Sequence, residues 1–318
     1  MRQVSFQDIA TAAARIAGEV RRTPVLTCRT LNDMTGATLF FKCENFQCAG
    51  AFKYRGATNA VRMLSREAAA KGVTTHSSGN HAGALALAAR RNGIPAYVVM
   101  PETAPRVKVA AVSGYGARIT FCKPTLEARE TTLADVQQET GATFIHPYDN
   151  PDVIAGQGTA ALELIEDAGE LDVIMAPVGG GGLLSGTAIT TGSLLPNARI
   201  FGAEPEGADD AYRSHRDGVC YPSVNPDTMA DGLLTSLGTL TFPLVRDRVH
   251  EIKLVSETGI RKAMRLVWER MKIIVEPSGV VPLAAVLEHP DSFRGKRVGL
   301  IFSGGNVDLD HLPWTDDV

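Results

Sequence analysis

The chain has no apolar run approaching the roughly 18 residues that a membrane-spanning helix needs, so a membrane protein is not expected. Its 5 cysteines are odd in number and irregular in spacing, which fits neither a disulfide framework nor a zinc pattern. The formal net charge of -3 leaves no basic surplus, so neither nucleic acid nor an anionic membrane is expected as a partner. Met1 to Ala10 carries Arg2 and Asp8 and no apolar core, so no signal peptide is expected and the cytoplasm is the expected compartment. There is no internal repeat, no low-complexity tract and no shift in composition that marks a linker. What remains is an ordinary globular composition, 44% hydrophobic and 21% charged over 318 residues. That is enough for one large α/β domain or two interleaved lobes.

Ser5 and Asp8 make a capping-box start for a helix carrying Phe6, Ile9, Ala13, Ile16 and Val20 at helical spacing, with Pro24 closing it. Strands are then expected at 39–42, 72–77, 96–100, 117–122, 143–146, 173–178, 199–203 and 297–302. Between them helices are expected at 54–64, 80–92, 106–115, 126–140, 158–167, from 183, and at 257–271 and 279–288. The strands are apolar runs rather than alternating patterns, which argues α/β architecture with a parallel sheet covered on both faces. The segment 206–246, rich in Gly, Pro and Asp and weak in periodicity, is where an insertion, lid or subunit contact is expected.

Four stretches carry chemistry. Lys53 sits in Gly50-Ala51-Phe52-Lys53, directly before a helix; alone it reads more readily as a solvated surface lysine. Gly179, Gly180, Gly181 and Gly182 join a strand to a helix, where successive backbone N–H groups and the helix start make a phosphate cradle. No Lys-Ser/Thr follows, so it is not a Walker A loop, and Ser185 stands where a dinucleotide fingerprint needs its third glycine. Ser77-Ser78-Gly79-Asn80-His81 is another strand-to-helix junction, suited to a carboxylate or serving as a plain N-cap. Ser303 leaves the carboxyl end of the last strand, where open parallel sheets put ligand contacts. A lysine, a phosphate cup, a carboxylate-binding helix start and a strand-end hydroxyl together describe a pyridoxal phosphate site.

From Pro24 to Asp308 the sequence resembles the fold-type-II pyridoxal phosphate enzymes of the threonine/serine dehydratase and serine racemase group, 3-hydroxyaspartate dehydratases included. The motifs are Glu44-Asn45-Phe46-Gln47, Ala51-Phe52-Lys53-x-Arg55-Gly56-Ala57, Ser77 to His81, Ala155-Gly156-Gln157-Gly158-Thr159, the four glycines, Glu276-Pro277-Ser278-Gly279 and Ser303-Gly304-Gly305-Asn306. The resemblance implies two open twisted, mostly parallel sheets flanked by helices. A small lobe, 71–149, would be inserted in a large cofactor-binding lobe, 1–70 and 150–318.

It also implies roles. Lys53 would be the Schiff-base lysine and the base at Cα, with Phe52 by the ring. Asn80 would meet the ring hydroxyl, Gly179 to Gly182 the phosphate and Ser303 the pyridine nitrogen. A hydroxyl there leaves the nitrogen largely unprotonated, which favours β-elimination over transamination. Ser77, Ser78, Asn80 and His81 would receive the substrate carboxylate, and Ser78 is the second acid/base of the racemase branch. Glu204, Ala208 and Asp210 match that branch's divalent-cation site, for Mg²⁺, Mn²⁺ or Ca²⁺; without the resemblance they read as an acidic loop. Arg129 is either a partner for a distal substrate carboxylate or a surface arginine.

The implied activity is β-elimination from a small β-hydroxy amino acid, 3-hydroxyaspartate, serine or threonine, giving a 2-oxo acid and ammonia. A serine or aspartate racemase, or a non-catalytic binding module of the same fold, are the alternatives, and a homodimer is the implied assembly. Ala51 is a variant of some microbial racemases and hydroxyaspartate dehydratases, and Tyr148-Asp149 after His146-Pro147 stands closer to dehydratases than to the mammalian racemase. Cys48-Ala49 replaces the Lys-Thr beside its nucleotide site, so ATP activation is not expected.

Overall fold

A computed structural model of the chain describes residues 2–77, 79–104 and 106–314. Ser5 caps the helix Phe6–Ile16, and the Asp8 carboxylate returns to the Ser5 amide at 2.9 Å, closing the capping box. That helix stops well before Pro24, because Gly18 takes a φ of 81° and turns the chain away.

Ten strands follow among the described residues: Val25–Leu26 (β1), Thr38–Cys43 (β2), Val73–His76 (β3), Ala96–Pro101 (β4), Arg118–Cys122 (β5), Thr143–Phe144 (β6), Val173–Pro177 (β7), Arg199–Pro205 (β8), Glu251–Val255 (β9) and Arg297–Phe302 (β10). They form a six-stranded sheet in the order β1-β2-β10-β7-β8-β9 and a four-stranded sheet in the order β5-β4-β3-β6. Only β1 runs antiparallel to its neighbour; every other pairing is parallel. The smaller sheet draws all its strands from 73–144, between β2 and β7 of the larger one.

The apolar runs are explained by helices on both faces of the large sheet. Val173 and Met175 of β7 and Leu300 of β10 enter one buried cluster with the helices Glu257–Leu266 and Pro277–Glu288. The residues between them, Ile174, Ala176 and Ile301, enter another with Leu164 and Leu184 on the opposite face. With both sides of the pleat buried, polar alternation has no place.

One expectation needs correction, and the structure adds elements at two further places. The helix expected at 158–167 runs Pro151–Ala168: Asn150 caps it, accepting from the Asp152 and Val153 amides, and Pro151 takes its first position. Its first half was hidden by Gly156, which is there for contact. A Cβ on Gly156 would lie 2.6 Å from the Cα of Gly56 in the crossing helix. Strand β9 was missed because it is an edge strand, Glu-Ile-Lys-Leu-Val, with polar residues interleaved. The segment 206–246 holds the helix Asp210–Asp217 and the start of another, Thr241–Arg248. Among the described residues no helix is long and apolar enough to cross a membrane.

Candidate active site

After β2 the chain passes through two short turns to Ala51, which bridges Gly304 just beyond β10. The Phe52 amide donates to the Ser303 carbonyl at 2.9 Å. Lys53, first residue of the helix Lys53–Arg62, therefore starts beside the carboxyl end of β10. Its Nζ donates to the Pro147 carbonyl at 2.8 Å and lies 5.2 Å from the Phe52 ring centre. Burial lowers the amine from 10.5 to about 8.

Pro147 leads to the glycine turn. Tyr148 lies so close over it that a Cβ on Gly180 would fall 2.3 Å from the Tyr148 ring. Gly181 has a φ of 83°, the left-handed region where a side chain is strained, and caps the helix Gly182–Leu194. The amides of Gly179, Gly180 and Gly181 donate to no acceptor of the described residues. Three free N–H groups at the start of a 13-residue helix make an anion cradle. Thr241 braces it, its hydroxyl donating to the Gly180 carbonyl at 2.8 Å. The Asp149 carboxylate caps the helix that Thr241 begins, accepting from the Leu240 amide at 2.8 Å and the Thr239 amide at 3.0 Å.

Strand β3 delivers Ser77 and the helix Asn80–Arg91 to the same place; Ser78 lies outside the described residues. The Asn80 amide donates to Glu276 Oε1 at 2.7 Å and accepts from Asn306 Nδ2 at 2.9 Å. His81 is buried, with Nε2 3.1 Å from the Ile145 carbonyl, and burial drops its pKa to about 3. Its ring is therefore neutral, Nε2–H donates to Ile145, and Nδ1 is an acceptor without a partner. A neutral acceptor does not hold a carboxylate, so what His81 offers an acid is its main-chain N–H.

Arg129 lies on the helix Leu126–Thr140 near His76, whose pKa is lowered by burial and then by that guanidinium. Its Nε is buried and has no partner among the described residues. Farther off, Glu204 at the end of β8 accepts from the Ala211 amide at 3.0 Å and the Tyr212 amide at 2.7 Å. Asp210 is buried, and neither carboxylate oxygen has a well-formed hydrogen bond. Burial and the Asp210 charge push Glu204 well up, and burial raises Asp210 to about 6. No group of three or more His, Cys, Asp and Glu side chains among the described residues is arranged to hold a metal.

Reading from sequence passed over Asp149, Thr241 and Glu276 as working residues. Asp149 and Thr241 are far apart in the chain, and no local pattern couples them. Glu276 stands in a quoted motif, but its contact with Asn80 crosses between the two sheets.

The assembled groups fit a phosphorylated aldehyde: free amides for an anion, a lysine of lowered pKa, and buried polar atoms awaiting partners. The family described as pyridoxal-phosphate dependent enzyme matches residues 16–304. The chain is 54% identical over 310 residues to a beta-hydroxyaspartate dehydratase of Paracoccus denitrificans, covering 98% of each. It is 49% identical to the L-threo-3-hydroxyaspartate ammonia-lyase of Saccharomyces cerevisiae, covering 96% of this chain and 94% of that one. The crystal structure of serine racemase from Dictyostelium discoideum superposes with a TM-score of 0.93 at 53% identity, covering 96% of this chain and 99% of that one. A match of this extent, on a fold and a lysine-and-glycine site that suit the same cofactor, shows that the chain belongs to the pyridoxal-phosphate dependent enzymes.

Proposed function

We propose that this chain is an ammonia-lyase that removes the β-hydroxyl and amino groups of 3-hydroxyaspartate, with serine and threonine as poorer substrates. Likeness to the Paracoccus and yeast proteins supports the chemistry. The observation that carries the substrate is Arg129: a half-buried guanidinium with an unpartnered Nε, near His76 at the end of β3. A second substrate carboxylate would complete it bidentately.

Bound pyridoxal phosphate supplies an aldehyde for the substrate amine and a ring that draws off electrons from Cα. The chain does the rest. The amides of Gly179 to Gly182 would hold the phosphate, Ser303 would face the pyridine nitrogen without charging it, and Phe52 would pack by the ring. Asn80 would donate to the ring oxygen. Ser77, Ser78, Asn80 and the His81 amide would receive the α-carboxylate. The Lys53 amine takes the Cα proton, which burial makes easier by keeping it unprotonated nearer neutrality. The β-hydroxyl then leaves as water with the proton that Lys53 took from Cα, and hydrolysis of the released enamine gives the 2-oxo acid and ammonia. In this reading 71–149 is the small lobe inserted in the larger one, 1–70 and 150–318.

Purified protein is tested on L-serine, D-serine, L-threonine and the 3-hydroxyaspartate stereoisomers, reading oxo acid, ammonia and chirality together. One hydroxyaspartate isomer is expected to give oxaloacetate far faster than serine gives pyruvate. Arg129→Ala should slow that isomer about a hundredfold, the scale of a charged hydrogen-bonded pair, and threonine hardly at all. An equal loss on both sinks the assignment of Arg129. Likeness to the Dictyostelium serine racemase favours a second activity, racemisation with Ser78 as second base. Ser78→Ala should then stop D-serine formation while most elimination survives.

Glu204, Asp210 and the Ala208 carbonyl are proposed to hold Mg²⁺, Mn²⁺ or Ca²⁺, since two buried, unsatisfied Asp210 oxygens beside a second carboxylate suit a hard cation. Removing metal with a chelator should lower the melting temperature, and Ca²⁺ or Mg²⁺ should restore it; Asp210→Asn should blunt both effects. A homodimer in the cytoplasm belongs to the same reading, and sedimentation equilibrium tests the assembly.

A further inference from the structure

Glu276 is a buried acid that the reaction as read above does not employ. It stands before the helix Pro277–Glu288 with 2% of its surface exposed, and its amide donates to the Gly304 carbonyl at 3.0 Å. Oε1 accepts from Asn80 Nδ2 at 2.7 Å, while Oε2 is buried without a well-formed hydrogen bond, the Asn306 amide being the donor that faces the carboxyl. On the other side Asn306 donates from Nδ2 to the Ala49 carbonyl at 2.8 Å and to Asn80 Oδ1 at 2.9 Å. The Ala49 carbonyl fixes which end of Asn306 is nitrogen, so Asn80 must turn its oxygen toward Asn306 and its nitrogen toward Glu276. One N–H of Asn80 is left uncommitted.

We propose that Glu276 is a positioning residue for the reaction, turning the Asn80 amide so that its free N–H is presented to the ring oxygen of the cofactor. The inference rests on the role of Asn80 proposed above and deepens it. The contact crosses between the sheets: Asn80 follows β3 of the smaller, and Glu276 precedes the helix packed on the larger. A second pair spans the same gap nearby, Lys108 of the helix Arg106–Gly114 with Asp231 of the turn Asp231–Leu233.

Those two are the charged groups facing Glu276. Burial and then Asp231 push its carboxyl up to about 8, and Lys108 opposes them. A protonated carboxyl still offers Oε1 as an acceptor, so the clamp holds on either side of that value. A carboxyl kept only to fill space is a poor choice, because a buried oxygen without a well-formed hydrogen bond costs stability that an apolar side chain of similar volume would not.

The test titrates apo protein with pyridoxal phosphate, reading the dissociation constant and the ratio of the two cofactor absorption bands, whose balance follows the ring oxygen's proton. Glu276→Met is expected to weaken binding about tenfold and to shift the ratio, by loss of one oriented hydrogen bond. Its apo form should melt no lower than wild type. Glu276→Gln, which keeps an acceptor, should restore both readouts, and adding Glu276→Met to Asn80→Ala should change neither further. If Glu276→Met melts early, Glu276→Asp withdraws the acceptor by one carbon without added bulk and should shift the ratio in the same direction. Wild-type readouts for Glu276→Met or Glu276→Asp with shifted ones for Asn80→Ala overturn the inference, as do losses that simply add in the double variant. Unchanged readouts in Asn80→Ala overturn the proposed role of Asn80 instead, and the inference falls with it.

Discussion

Burial alone brings the Lys53 amine down from 10.5 to about 8, without help from a carboxylate or a second cation. The sign of the consequence is plain: below about 8 the amine is protonated and unreactive, and above it the nucleophile is present. Covalent capture of pyridoxal phosphate by apo protein, trapped with borohydride, should accelerate with pH and level off just above about 8. Acceleration continuing toward 10.5 would mean the amine is solvated. Glu276 shifts the other way, from 4.5 to about 8, so the folded state keeps a proton that the unfolded chain releases. Stability therefore falls as pH rises between those values, through this group alone. Glu276→Gln should melt progressively above wild type as apo protein is taken through that window. Lys53 was legible in the sequence only together with the glycine turn, the Ser77 to His81 junction and Ser303; Glu276 was not, since its partner lies on another sheet.

Among the elements, the glycine turn shows how a legible motif depends on an illegible support. Four successive glycines announce an anion cradle, but each is needed for a specific neighbour: Leu233 against Gly179, Tyr148 against Gly180 and Gly182, Leu237 against Gly181. Asp149 holds the wall of that cup by capping the helix Thr241–Arg248, whose first residue bonds the Gly180 carbonyl. Asp149→Ala removes the cap and leaves three amides searching for water, a loss of about 1 kcal/mol or more. It should weaken pyridoxal phosphate binding severalfold while Asp149→Asn, still an acceptor, stays closer to wild type. Equal affinities for wild type and Asp149→Ala would detach the cap from the cup. The aperiodic look of 206–246 is explained here, because its short elements are held by distant side chains rather than by an apolar face of their own.

Across the whole molecule, the stretch around Lys53 is fastened by buried charge. Arg55 bonds Glu44 at 2.7 Å and Glu163 at 2.7 Å, and Lys42 bonds Glu163 at 2.6 Å, joining β2, the lysine helix and the helix Pro151–Ala168. Arg55, Lys42 and Glu44 are fully buried, and with the partly buried Glu163 they set two cations against two anions. Arg55→Met leaves the buried Glu44 without a cation and Glu163 with Lys42 alone, and should cost about 3–5 kcal/mol by denaturant unfolding. A loss near zero would mean that water or another cation replaces it. The amino-acid sequence alone determined the alternation of strands and helices, because apolar runs and glycine breaks act over a few residues. It also marked Lys53, the glycine turn and Ser303, because the residue types at these separate junctions together describe the chemistry of one ligand. Only the tertiary structure decided that Glu276 grips Asn80, that Asp149 caps a helix far along the chain and that the His81 ring is buried against the Ile145 carbonyl. Each of those depends on which elements two separate sheets bring within hydrogen-bond reach, and that distance is set by packing rather than by spacing in the chain.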